Sequence, residues 1–322
     1  MRIVTVDSFP RELDSLADAS PRATFYHTGA WLLSLADAYP RLALHCLVAE
    51  EGGEAVAYLP YLVAKRGPLR AVWSLPFGTY GGPVGTADDA TLLAVLQEYR
   101  ALIERPTVVE LGWVDYHNVF PDLGGKVEAD ETHLVDISQG LDKLWSKDSG
   151  HRRQRRNADL RRAREAGVEV RRAAGAEDVE RFFAVCERRL EGRGASVYPR
   201  RLFESLVERG GERVRIHLAW QRDHVLGGLL SFYYKDDVIA WHGMSSLDGS
   251  EVQAGKLMMA TCMHEAAEEG YRTFNLGASL GKSSLVWFKE SMGGEAHPYR
   301  TVRHRRLPSR LVAALRRVPG PQ

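Results

Sequence analysis

The stretch Arg215-Ile-His-Leu-Ala-Trp-Gln-Arg-Asp-His-Val-Leu-Gly-Gly-Leu-Leu-Ser-Phe-Tyr-Tyr234 decides the fold. Apolar residues recur with the two-residue period of a strand, break at Gln221 to His224, and resume, which is the pattern of a β-hairpin. Lys235-Asp-Asp then leads to a third strand, Val238-Ile-Ala-Trp-His242. Beyond it, a glycine-containing loop precedes an amphipathic segment from Gly255 to Glu269, where the apolar period lengthens to that of a helix. A short apolar run, Thr273-Phe-Asn-Leu-Gly277, closes the series.

The same order occurs earlier in the chain. Leu42 to Glu50 alternates, turns at Gly52-Gly53 and resumes as Ala55-Val-Ala-Tyr-Leu before Pro60. An amphipathic helix is expected from Asp88 to Glu104, and Val108-Val-Glu-Leu-Gly112 ends in the same Leu-Gly. Aligning Ala49 with Ala219 also brings Val56 onto Leu226, so the chain reads as an internal duplication of one α/β unit. A length of 322 residues exceeds what one hydrophobic core usually organises, which agrees with two domains. Their expected bounds are residues 1–145 and 146–300, followed by a basic tail over 301–322 that either packs on the first domain or joins a nucleic-acid surface.

Composition narrows the function classes. With 43 basic and 42 acidic side chains the net charge is +1, so attraction to a polyanion must come from local clustering. Cys46, Cys186 and Cys262 form neither an even set nor a paired CxxC spacing, which argues against a disulfide framework and a cysteine-rich zinc site. No cluster has metal-ligand spacing, so no metal is expected. The start lacks the apolar core of a signal peptide, and no apolar run approaches the roughly 20 residues needed to span a bilayer. A cytoplasmic enzyme without a membrane span is the expectation.

Charge clusters in one place. From His151 to Arg164 there are seven arginines against a single acid, Asp159, on a segment composed as a helix that ends at Gly167. Arg152, Arg153, Arg155 and Arg156 are candidate RNA-phosphate ligands, and the alternative is a solvated helix face.

Several strings together resemble the Fem-type (FemAB-like or BioF2-like) branch of the GNAT acyltransferase superfamily. They are Arg155-Arg-Asn-Ala-Asp-Leu-Arg-Arg-Ala-Arg, Val197-Tyr-Pro-Arg-Arg-Leu-Phe, Gly270-Tyr-Arg-Thr-Phe-Asn-Leu-Gly and Trp287-Phe-Lys-Glu-Ser-Met-Gly-Gly. In the first half, Thr24-Phe-Tyr-His-Thr-Gly-Ala-Trp and Leu75-Pro-Phe-Gly-Thr-Tyr-Gly-Gly-Pro are similar to the amino-terminal domain of the same branch. The resemblance implies tandem GNAT-like domains, mixed sheets flanked by helices, with a substrate cleft between them. It further implies transfer of an aminoacyl group from aminoacyl-tRNA to an amine of a cell-wall precursor or small peptide. Other relatives are acyltransferases of other kinds. The chain departs from the pattern twice: it has no long heptad arm in the second half, and the usual Asp-Leu-Gly is Asn275-Leu-Gly.

The donor divides the hypotheses. A coenzyme A thioester needs consecutive backbone N–H groups at a helix start to cradle its pyrophosphate. Val252-Gln-Ala-Gly-Lys-Leu keeps only the middle glycine of that loop, and Tyr80-Gly-Gly-Pro-Val-Gly carries Pro83, which has no N–H to offer. Aminoacyl-tRNA as co-substrate, with no bound cofactor, therefore leads. Acetyl-CoA or another acyl-CoA, serving exopolysaccharide or secondary metabolism, is the second reading, and a catalytically silent binding module is the third.

Acyl transfer to an amine requires stabilisation of the oxyanion that develops at the attacked carbonyl. The resemblance ties Lys289 to activity, and a cation there would favour the transition state over the ground state. Its alternative is a surface lysine neutralising Glu290 or Glu295. Tyr80, Arg193, Tyr198 and His242 are candidate substrate-binding residues: two tyrosines with polar tips, an arginine flanked by glycines, and a histidine after a strand. Each also reads as ordinary packing or as a loop side chain.

Overall fold

A computed structural model describes residues 1–191, 197–279 and 281–306, so the candidate Arg193 and the end of the basic tail lie outside the described residues. The chain divides into two compact units, one comprising Met1–Asp130 with the chain from Pro298 onward, the other Glu131–His297. This division falls earlier than residue 145.

In the first unit β1 (Arg2–Val6), α1 (Glu12–Ala19) and α2 (Gly29–Ala38) lead into the hairpin β2 (Leu42–Glu51) and β3 (Glu54–Arg66). β4 (Leu69–Ser74), the short β5 (Val84–Gly85), α3 (Asp89–Ala101) and β6 (Val108–Asp115) follow. The hairpin strand runs through Pro60, where a break was expected. On the flank away from β2, the partners of β3 are Ala57 and Tyr58 for β5 and Leu62 onward for β4, so Pro60 sits in a gap where a missing N–H costs little. In α3, Leu92, Val95, Leu96 and Tyr99 are buried at helical spacing, and each fully buried aliphatic side chain there contributes roughly 1.5–3 kcal/mol. Asp88 caps α3 by accepting from the Thr91 amide at 2.8 Å.

The second unit takes up β7 (Lys126–Asp136) at its carboxyl end, then α4 (Leu141–Ser146), α5 (Gly150–Glu165), β8 (Val168–Arg172), α6 (Ala176–Leu190) and α7 (Arg200–Gly210). The hairpin β9 (Val214–Gln221) and β10 (His224–Tyr234) precedes β11 (Asp237–Ser245), α8 (Leu247–Glu251), α9 (Ala254–Glu268), β12 (Thr273–Ala278) and α10 (Ser283–Ser291). β13 (Glu295–Arg305) then pairs with β6 from Arg300↔Asp115 to Arg305↔Glu110. Residues 301–305 are thus a strand of the first unit. Of the two alternatives for the tail, these residues follow packing on the first unit, and they do so as a strand in which Val302 and His304 alternate inward and are buried while their neighbours face out.

The duplication is visible in the strand order. The first unit pairs β1-β2-β3-β4-β6-β13 and the second pairs β8-β9-β10-β11-β12-β7, each with one parallel pair at the fourth and fifth positions. A mixed α/β sheet flanked by helices is the fold class of both.

Candidate active site

The two parallel pairs differ in how far they run. In the first unit β4 and β6 stay paired from Arg70↔Val108 to Ser74↔Trp113, the end of β4. The loop beyond seals that end: the Gly81 amide donates to the Val114 carbonyl at 3.2 Å and the Gly82 amide to Ser74 Oγ at 3.0 Å. A Cβ on Gly81 would lie 1.8 Å from the Ser74 carbonyl oxygen, so only glycine allows this closure.

In the second unit the parallel ladder of β11 and β12 stops after three residue pairs, Asp237↔Thr273 to Ile239↔Asn275. β11 continues to Ser245 against β10, while β12 continues to Ala278 against β7. A bulge in β12 between Asn275 and Ala278 accompanies the parting. Asn275 holds it: its side-chain oxygen accepts from Thr132 Oγ1 at 2.5 Å and from the Gly277 amide at 2.9 Å. Gly277 adopts the left-handed conformation (φ 76°), which turns the backbone out of the ladder.

Lys289 meets the bulge. It lies on α10, is buried, and donates from Nζ to the Gly277 carbonyl at 2.5 Å. It is therefore not the surface lysine of the alternative reading. His133, on β7, faces the same place: burial and then the positive charge of Lys289 lower its pKa, and its buried Nδ1 has no partner among the described residues. The sequence offered no signal for His133, since a single histidine in a strand has no motif around it. Only the fold brings it beside Lys289.

Tyr198 and His242 are brought together, in an aromatic cluster rather than at an open surface. The Tyr198 ring stacks on Trp241 at 4.9 Å and meets His242 edge-on at 5.5 Å, with Phe182 and Phe203 also against His242. Both side chains are buried; desolvation raises the Tyr198 hydroxyl above its usual range and lowers His242 to about 4. Tyr80 is buried too, stacked at 4.0 Å on Tyr116 with Tyr26 and Tyr299 against its edges, so the ring packs inside the first unit.

The arginine helix is α5, and it serves two ends. Arg156 is only 1 % exposed; it forms an ion pair with Asp148 and donates to the Ser291 carbonyl at 3.2 Å, with its guanidinium 4.4 Å from the centre of the Trp145 ring. The phosphate-binding reading of Arg156 is corrected by this burial, which turns both Nη groups onto protein acceptors. Arg152 lies 3.7 Å from Asp148, Arg155 rests on Trp287 at 4.3 Å, and both remain exposed, as does Arg153.

The loop before α9 is a poor anion cradle for a physical reason. The amides of Val252, Gln253, Lys256 and Leu257 already donate to backbone carbonyls, and Lys256 is buried in an ion pair with Asp159.

Residues 150–289 match the family model described as the acetyltransferase (GNAT) domain. The second unit is a GNAT domain. Over its whole length the chain has the fold of three solved structures to which it is similar. A structure of FemX aligns with a TM-score of 0.66 at 12 % identity, covering 98 % of this chain and 100 % of its own. The structure of L-PGS from Bacillus licheniformis aligns with a TM-score of 0.64 at 14 % identity, covering 98 % of each chain. A tandem GNAT protein from the clavulanic acid biosynthesis pathway aligns with a TM-score of 0.53 at 12 % identity, covering 95 % of this chain and 99 % of its own. No curated protein matches the chain in sequence. Acyl transfer is the reaction class of the domain that residues 150–289 match. Among the described residues, no helix is long and apolar enough to cross a membrane.

Proposed function

We propose that the chain is an aminoacyltransferase that moves an aminoacyl group from aminoacyl-tRNA to an amine of a cell-wall precursor or small peptide. The observation that carries this reading is the contrast between a sealed parallel pair in one unit and a parted pair, edged by Lys289, in the other. In the reaction the acceptor nitrogen attacks the ester carbonyl of the charged tRNA. An amide C–N bond forms, the C–O ester bond breaks, and the ribose hydroxyl of the tRNA leaves with the proton lost by the amine. Lys289 is the candidate for stabilising the carbonyl oxygen as negative charge develops on it.

The choice of donor rests on two features. Four amides in and just after the loop before α9 are already engaged, which disfavours a pyrophosphate, and Arg152, Arg153 and Arg155 leave a cationic face on α5 that suits RNA phosphates. Such a donor places the reaction in the cytoplasm. The second reading, an acyl-CoA-dependent N-acyltransferase, is favoured by the GNAT domain itself, because GNAT enzymes take that donor as a class. Incubation with charged tRNA, and separately with acetyl-CoA, together with an amine acceptor, separates the two. Transfer from acetyl-CoA but not from charged tRNA would overturn the first reading, and transfer from neither would leave the third, a catalytically silent binding module.

A further inference from the structure

The second unit contains a cavity of about 750 Å³ between α6, the turn joining β9 to β10 and the start of α8. Its walls carry Arg188 and Arg189 from α6, Asp223 from the turn and Asp248 from α8, with Glu191 at the end of α6 and Arg181, already paired with Glu177 and Asp178, at the margin, over an apolar floor that includes Val185 and Leu226. Opposite charges lining one cavity normally neutralise each other. Here four of them do not: among the described residues, neither Arg188 nor Arg189 is paired with an acid and neither Asp223 nor Asp248 is paired with a base. Arg188 donates from Nε only to the carbonyl of Ala184 on its own helix, at 3.3 Å. Arg189 carries a buried Nη1 without a hydrogen-bond partner. A buried guanidinium N–H left unmade is costly, and a ligand that accepts from it recovers that cost.

We infer that this cavity binds a zwitterionic ligand of the short-peptide class, its carboxylate on Arg188 and Arg189 and its ammonium toward Asp223 and Asp248. Cavity size supports a peptide over a lone amino acid, because 750 Å³ lies within the range of small-molecule sites and exceeds what one small residue fills. The separated charges select against a simple anion, which the two aspartates repel, and against a simple cation, which the two arginines repel. The floor accepts side-chain methylenes between the two charged ends. This ligand has the chemistry of the acceptor proposed above, and the inference rests on that reading only in linking it to transfer.

The test is equilibrium titration of the whole chain, without donor, using glycylglycine, N-acetylglycylglycine and glycylglycinamide. Glycylglycine is expected to saturate with a dissociation constant of order 1 mM, and both blocked peptides to bind at least tenfold more weakly. Arg189→Gln should weaken glycylglycine by about tenfold. Asp223→Asn, an exposed position that leaves the core untouched, should do the same if the Arg189 variant fails to fold. Absence of saturation, equal binding of the blocked peptides, or unchanged affinity in Asp223→Asn would overturn the site. Transfer activity with no peptide binding would remove this inference alone and leave the transferase reading standing.

Discussion

The Lys289 ammonium lies 2.5 Å from the Gly277 carbonyl, and that carbonyl is presented because the Gly277 amide is held by Asn275 at 2.9 Å. Strand bulge, left-handed glycine and buried lysine form one unit. Replacing Lys289 by Met keeps the length and apolar stem while removing the charge. The expected outcome is a fall in turnover on the order of 10²-fold or more, the size typical for loss of one oxyanion-stabilising donor. Transfer assays with charged tRNA and with acetyl-CoA read it, and wild-type turnover in Lys289→Met would retire the residue from catalysis.

Asn275 makes a sharper structural prediction. Both the Thr132 hydroxyl and the Gly277 amide donate to the same side-chain oxygen, which an aspartate also supplies. Asn275→Asp should therefore preserve the bulge, in keeping with the Asp-Leu-Gly usual in the resembling family. Asn275→Leu leaves two buried donors unsatisfied, at roughly 1–3 kcal/mol for each such group, and should lower the thermal midpoint by several degrees. Equal midpoints for the Leu and Asp variants would sink this account.

His242 predicts a pH dependence of stability. Its folded pKa of about 4 lies below the ordinary histidine value because the aromatic cluster excludes water. A group depressed in the folded state takes up its proton first when unfolded, so stability is full above the unfolded value and declines as pH falls toward 4. The slope for one such proton approaches about 1.4 kcal/mol per pH unit. His242→Phe should flatten the loss of stability between pH 6.5 and pH 4 relative to wild type, measured by denaturant unfolding at a series of pH values. Parallel curves would show that other groups govern acid sensitivity.

Much of the fold could be read directly from period. The hairpin at Arg215–Tyr234 and the helix before Thr273 were legible because alternation and helical spacing record which face is buried, and that record is local. The strand at residues 301–305 was not legible because Arg303, Arg305 and Arg306 mask the inward Val302 and His304, and because the partner strand β6 lies far back in the chain. The site was legible only in part. Lys289 carried a motif, whereas His133 is made relevant by a strand pairing, and the burial of Arg156 depends on Asp148 and Ser291, which no spacing rule connects to it. Tyr80 and Tyr198 resembled cleft residues because an aromatic among glycines or beside a proline has the same local sequence whether it faces solvent or a ring.

The arginines of α5 separate stability from binding within one helix. Arg156→Ala would remove the buried partner of the half-buried Asp148, leaving it only Arg152 at 3.7 Å, and would empty the site beside Trp145. That variant should be markedly less stable whatever the donor. Arg152, Arg153 and Arg155 are exposed, and their joint replacement by Ala should change stability little, apart from the weak pairing of Arg152 with Asp148 and the contact of Arg155 with Trp287. If they hold RNA phosphates, the triple variant should bind charged tRNA more weakly and with a flatter salt dependence, each lost contact reducing the log-log slope by roughly 0.7 to 0.9. Affinity measured across a salt series decides the matter without any assay of catalysis. A triple variant with unchanged affinity and slope would remove RNA from this face, and the donor would then be sought among coenzyme A thioesters.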